Sequence, residues 1–398
     1  MVTVPKKPVF VMVSGDVKAA SLTRLRHIER LELHHLYQRT RKGLRADDTT
    51  SDDHVGRHVR YRSAAHLFRL LWRIEPDIVQ GPEPFSLLML PYLLAVFAYV
   101  RLRPKTRLVV VTLENLAVAD KYTRLAVPLF QLILRPYFRR ASCAFWFVPG
   151  SEENLRVYGA PPERLVNQIY GTWGVDLAVW NPDGPQAHVR PGVPTIMYVG
   201  RLAREKGVAA LIAAFNALRA QGLSAHLVII GDGPEREALE LQARQSQWSA
   251  GISFLGLIKN RDLPPYLRAA TVVVNPFFRT RLWSEQWAYV LQQAMACGVP
   301  VITTDTPSMR ELVAPGAGLF FPERDTNVLA ERIAALLGDS ELRARMGRHA
   351  REYAVQRFDE PQNTLRSEQT ILERCGFAGT ETSRGGQPLI VGPTENRS

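Results

Sequence analysis

The chain runs through one pattern twice. Short apolar runs alternate with longer helical stretches, and the series restarts after a turn-rich break. In the first half the runs are Phe10 to Val13, Asp77 to Gln80, Leu108 to Leu113 and Ala144 to Val148, with a helical pattern around His66 to Ile74. In the second they are Thr195 to Val199, His226 to Ile230, Thr271 to Asn275 and Pro300 to Thr303, with helical patterns over Val208 to Ala220 and Val290 to Cys297. Such runs suit strands buried on both faces, and strand–helix alternation predicts a mostly parallel sheet. The break, Asn181-Pro182-Asp183-Gly184-Pro185, consists of turn formers without periodicity and reads as a linker. The expectation is an α/β chain with two doubly wound domains facing a central cleft at the carboxyl ends of their strands.

Size and composition agree. At 398 residues, 46% hydrophobic and 22% charged, the chain can fill two cores and is not a disordered, collagen-like or low-complexity sequence. The three cysteines, Cys143, Cys297 and Cys375, make neither a metal spacing nor a disulfide framework, so a reducing, cytoplasmic setting is expected. The opening MVTVPKKPVF lacks a long apolar region, and no signal peptide is expected. Pro84 to Val100 is free of charge but only 17 residues long with Pro91 inside, whereas a spanning helix needs roughly 20. It reads as a buried helix, with a helix lying in a membrane interface as the alternative.

Charge is uneven. Residues 1–180 hold 26 Lys and Arg against 16 Asp and Glu; the other 218 hold 24 against 22. A basic half suits phosphate-rich partners or an anionic membrane surface, and no nucleic-acid motif accompanies it. His34, His35, His54 and His58 lie in a charged stretch without ordered spacing and read as a solvated surface, as do Asp47, Asp48, Asp52 and Asp53. No metal is expected.

Three segments carry candidate chemistry. Gly200-Arg201-Leu202-Ala203-Arg204-Glu205-Lys206-Gly207 follows a strand and opens a helix, which places backbone N–H groups and two cations where an anion could sit. It lacks the Gly-Lys-Ser/Thr of an NTPase loop. Gly231-Asp232-Gly233-Pro234 is a tight turn at a strand end. Trp283-Ser284-Glu285-Gln286-Trp287 precedes a helix, so Glu285 is either a capping carboxylate or one that bonds two sugar hydroxyls at the cleft mouth.

Together with Phe254-Leu255-Gly256, QAMACGVPVITTD, MREL and GAGLFFPERD, these segments make residues 195–356 closely resemble glycosyltransferase family 4. The first half resembles it more weakly, at Pro76 to Val79, Val148 to Ser151 and Gly174 to Asp176. The resemblance implies the GT-B fold and a retaining transfer of sugar from a nucleoside diphosphate to an acceptor. It implies an acceptor-binding Rossmann-like domain over 1–180, a linker over 181–186 and a nucleotide-sugar domain over 187–355. A C-terminal helix over 356–375 would pack back on the first domain, and 376–398 reads as a disordered tail.

Arg201 and Lys206 stand where the family binds the diphosphate, and Glu285 where it contacts the transferred sugar. With Gly200, Gly231, Gly233, Gly256, Leu257, Tyr289, Val290 and Gln293 they form the implied donor site. Gln293 replaces a glutamate that binds ribose hydroxyls, and Thr112-Leu113-Glu114-Asn115 replaces a loop that often carries histidine. Ser14, Gly15, Glu83, Glu114 and Asn115 are the acceptor-side candidates. The basic first half, with its apolar-basic stretches Pro84 to Arg103 and Leu125 to Arg140, points to a lipid-linked or cell-surface glycan precursor as acceptor and to peripheral contact with the inner face of the cytoplasmic membrane; no cofactor is expected. An inactive binding protein or a sugar-nucleotide epimerase on the same fold is the rival reading.

Overall fold

The computed structural model describes residues 6–17, 27–40, 57–122, 126–190 and 192–377. His54, the four aspartates between 47 and 53, and the tail from residue 378 lie outside them.

The first domain is a seven-stranded sheet, and every pairing in it is parallel. Its strands are β1 (Val9–Val17), β2 (Glu32–Thr40), β3 (Arg57–Arg60), β4 (Ile78–Gln80), β5 (Arg107–Val111), β6 (Ala141–Trp146) and β7 (Leu165–Asn167), in the order 3-2-1-4-5-6-7. The second is a six-stranded parallel sheet of β8 (Thr195–Val199), β9 (His226–Ile230), β10 (Ile252–Gly256), β11 (Val272–Asn275), β12 (Val301–Thr304) and β13 (Gly318–Phe321), in the order 10-9-8-11-12-13. Helices cover both faces, which is why the central strands are apolar almost throughout. One apolar cluster runs from Phe10 and Met12 through Phe147 and Trp287 to Met197 and Val228, so the two domains share buried surface.

β1 runs beyond the apolar stretch Phe10 to Val13 as far as Val17, because Ser14 and Asp16 pair with Tyr37 and Arg39 of β2. One expectation changes here. His34 and His35 are not a solvated surface. β2 lies inside the sheet between β1 and β3, so both are buried, and His35 Nε2 lies 2.7 Å from Ser14 Oγ. Burial, with His58 beside it, holds the His35 imidazole far below its ordinary value, at about 3.

Pro84 to Val100 forms a short 3₁₀ turn, Leu87–Met89, and a helix, Leu90–Leu102, started by Pro91 in its first turn. Leu93, Val96, Tyr99 and Val100 are buried, whereas Leu88 is 77% exposed and Leu94 44%. Among the described residues no helix is long and apolar enough to cross a membrane.

The chain breaks between helices Ser340–Arg357 and Glu360–Cys375, with Pro361 at the start of the second. That last helix lies on the first domain. Its Glu368 accepts from the backbone N–H groups of Arg30 at 2.5 Å and Glu29 at 3.3 Å, and Ser367 Oγ accepts from Gly171 N at 3.1 Å. Where the chain crosses, Val175 N donates to Phe358 O at 2.7 Å and Glu360 N to Val175 O at 3.1 Å. All three cysteines are buried free thiols.

Candidate active site

A cavity of about 720 Å³ opens at the carboxyl ends of β8, β9 and β11, where a doubly wound sheet offers its loops to a ligand. Its wall contains Gly200, Arg201, Lys206, Gly231, Leu257, Glu285, Tyr289, Val290 and Gln293. Gly233 and Gly256 lie outside that wall. Gly233 packs against the Leu202 backbone, and Gly256 O accepts from Gly231 N at 2.7 Å. Both shape the loops that carry the lining residues.

The anion clamp begins where β8 ends. Residues Arg204–Lys206 make one 3₁₀ turn, and Gly207 (φ 70°) redirects the chain into helix Val208–Ala220. A Cβ at Gly207 would lie 1.9 Å from the Pro276 carbonyl oxygen, so only glycine lets this turn sit against the β11 loop. That approach brings Lys206 to Glu285, 79 positions away in sequence. Lys206 Nζ donates to Glu285 Oε2 and lies 4.6 Å from the centroid of the Trp283 ring. The two side chains are only 18% and 13% exposed, whereas Arg201, bonded to Glu205 at 2.5 Å, is 48% exposed.

Glu285 does not cap the following helix. Helix Tyr289–Ala296 has Ala288 as its N-cap with no side-chain cap bond, and the Glu285 carboxylate pairs with Lys206 instead. Tyr289 and Val290, the first two residues of that helix, line the cavity. Gln293 is buried and donates from Nε2 to Asn260 Oδ1 at 3.0 Å. An amide can make this bond and still accept at its own oxygen. Asn260 and Asn275, both in the wall, are absent from the sequence-derived set. Asn275 had a legible signal, a polar residue closing the run Val272-Val273-Val274; Asn260 had none.

A second cavity, about 210 Å³, lies between the domains and shares Trp283, Glu285 and Trp287 with the first. From the first domain it is lined by Glu114, Leu116, Lys121 and Trp173. The buried Glu114 carboxylate accepts from Lys121 Nζ and, at 3.1 Å, from Leu116 N. Of the five acceptor-side candidates, only Glu114 lines this cavity. Asn115 Nδ2 instead donates across the cleft to the Glu285 backbone carbonyl at 3.1 Å. Ser14 and Gly15 sit on β1, bonded to His35 and packed on Met89 respectively. Among the described residues no cluster of three or more His, Cys, Asp or Glu is placed to hold a metal.

Glu83 lies behind the loop. Thr112 Oγ1 donates to it at 2.8 Å and Phe85 N at 3.3 Å. Burial, reinforced by the charge of Glu114 and opposed by the Thr112 bond, pushes its carboxyl up to about 7. The folded state therefore holds a proton that the unfolded chain releases near the ordinary carboxyl value. Stability contributed by this proton is complete at low pH and is lost as pH rises from about 4.5 through about 7, by on the order of 3 kcal/mol. Glu83→Gln keeps the acceptor oxygen without the charge. Its melting temperature is expected to match wild type near about pH 5 and to exceed it by about pH 8; parallel curves in thermal unfolding would show that Glu83 stays ionised.

Residues 185–353 match the family model described as Glycosyl transferases group 1. Over 189 residues the chain is 32% identical to a glycogen synthase of Mycobacterium tuberculosis (strain ATCC 25618 / H37Rv), covering 47% of this chain and 44% of that protein. Over 240 residues it is 29% identical to a phosphatidyl-myo-inositol mannosyltransferase of Mycolicibacterium smegmatis, covering 59% and 58%. The chain thus spans about half the length of these curated relatives. A crystal structure of Anabaena Alr3699/HepE in complex with UDP superposes with a TM-score of 0.72 at 18% identity, covering 92% of this chain and 100% of that one. The fold is GT-B: two facing, doubly wound α/β domains.

Proposed function

We propose that the protein is a retaining glycosyltransferase that moves a sugar from a nucleoside diphosphate to a glycan or lipid-linked acceptor. The observation that carries this reading is the Lys206–Glu285 pair at the junction of the two cavities. The larger cavity takes the donor and the smaller one the acceptor hydroxyl. Lys206 and Arg201, with the N–H groups of the Tyr289 turn, stabilise charge on the departing diphosphate, as fixed donors aimed at developing charge do. Glu285 compensates the charge of Lys206. When the donor enters, phosphate oxygens take over the lysine and the carboxylate turns to the sugar hydroxyls, holding the anomeric carbon toward the second cavity. The C1–O bond to the diphosphate breaks and the acceptor oxygen bonds C1 on the same face, its proton passing to the leaving phosphate. The chemistry proposed uses these side chains and no resident metal. Proton NMR of the product tests it: an inverted anomeric centre would overturn the retaining course, and no transfer from any sugar nucleotide would leave the binding-protein reading.

The acceptor assignment draws on the outer face of the first domain. Tyr122 joins the Leu87–Met89 turn to helix Ala126–Arg140: it stacks on Phe130, 5.6 Å between centroids, and its hydroxyl accepts from Leu87 N at 3.3 Å. Leu88 and Leu132 in these two elements are 77% and 75% exposed, and Arg135 and Arg139 are exposed on the same helix. Leucines to enter a headgroup layer and arginines to meet anionic lipid suit a lipid-borne acceptor at an inner membrane face, each cation contributing about 1 kcal/mol. The relative named for phosphatidyl-myo-inositol agrees with this choice. The protein is expected to sediment with anionic liposomes at low salt and to be released at high salt. No sedimentation at low salt would remove the membrane assignment and leave the transferase.

A further inference from the structure

We propose that Asn115 is a positioning residue that orients Glu285 across the cleft, so that the donor-sugar carboxylate is aligned only when the two domains are closed. This rests on the transferase reading above.

The loop that carries Asn115 is held firmly from its own side. Asn154, buried in helix Pro149–Val157, donates from Nδ2 to Glu114 O at 2.7 Å and to Leu116 O at 3.0 Å, gripping the carbonyls on both sides of Asn115. Gly150 of the same helix packs so closely that a Cβ there would lie 2.4 Å from Asn115 O and 2.7 Å from its Cα. The backbone at 115 is therefore fixed to the first domain, with little freedom to follow the second.

The side chain then crosses. Asn115 Nδ2 donates to Glu285 O at 3.1 Å and to Ser308 Oγ, in helix Pro307–Leu312, also at 3.1 Å. Beside it, Gln286 Nε2 approaches Glu114 Oε1 at 3.5 Å. Both protons of the Asn115 amide thus go to the second domain, and one fixes the backbone of the residue whose carboxylate meets Lys206. Glu285 stands in a long connection, between β11 and helix Tyr289–Ala296, with no side-chain cap to brace it from the helix side. The bond from Asn115 supplies that brace, and opening of the cleft removes it. Catalytic geometry is thereby tied to closure without Asn115 touching the substrate.

Asn115→Asp tests this, since a carboxylate of the same shape cannot donate to Glu285 O. UDP, ADP and GDP, each with and without glucose or mannose, serve as probes. For the pair that binds, the variant should bind the bare diphosphate within about twofold of wild type, because Lys206 is untouched. The additional affinity conferred by the sugar should disappear, and kcat should fall by between about tenfold and a hundredfold. Small-angle X-ray scattering should show the wild type, and not the variant, compacting on donor addition. Ser308→Ala, which removes the other bond and keeps the one to Glu285, should turn over within about threefold of wild type. Wild-type kcat and compaction in Asn115→Asp would overturn the positioning role alone, as would an equal loss in bare-diphosphate binding, which marks general damage. A wild type that binds no nucleoside diphosphate would overturn the transferase reading and this one with it.

Discussion

Lys206→Ala is expected to cost roughly 2–5 kcal/mol of donor diphosphate binding, a loss of about thirtyfold or more. The side chain is largely withdrawn from water and shares its charge with an equally withdrawn Glu285. Truncation therefore does more than delete a contact. It leaves the Glu285 carboxylate unpaired at the place where an anionic ligand must enter. Arg201→Ala should cost far less, because that guanidinium is about half exposed and already bonded to Glu205. Calorimetry on the two variants separates the cases. Similar losses in both would mean that Arg201 moves inward with the ligand, and wild-type affinity in both would move the donor site elsewhere.

Glu285→Ala should show the opposite signature. Turnover should fall by about a hundredfold or more, the scale of one preorganised group in a catalytic site. Bare nucleoside diphosphate should bind no worse than in wild type, and better if anything, because Lys206 is released from its partner. A group that acts mainly in the transition state lowers kcat without lowering ground-state affinity. Single-turnover kinetics alongside diphosphate titration distinguishes this from simple damage. Full turnover in Glu285→Ala would return the residue to a purely structural ion pair.

The sequence showed most of what depends on local pattern. Strands such as Val272-Val273-Val274 and His226 to Ile230 are buried on both faces and read as unbroken apolar runs. β2 is hidden because most of its residues (ELHHLYQRT) are polar or charged and two of its buried positions are histidines, a composition that resembles a charged surface. The clamp glycines and Glu285 were visible as motif positions. What Glu285 bonds to was not, since Lys206 lies 79 residues away and the two are joined through the packing of Gly207 on Pro276 and the bond from Phe278 N to Glu205 O. For the same reason Asn115 read as an acceptor-side candidate. Its partners are 170 and 193 positions distant, and no spacing rule reaches that far.

The return of the last helix to the first domain has a mechanical consequence. The chain passes between the domains at Val175 and again at Phe358 to Glu360, and the two passages are bonded to each other. Two adjacent parallel tethers define a line. Sliding one passage along the other would break the bonds between Val175 and Phe358 and between Glu360 and Val175, so relative motion of the domains is expected to be mainly a bend at this crossing. Trp287 packs edge-on against Phe358 and donates to the Trp173 carbonyl at 3.3 Å, so Glu285 stands close to that crossing and a change of angle there acts directly on its register with Asn115. A cut after residue 357 would release one tether and leave the remaining angle, and so the register of the catalytic groups, unspecified.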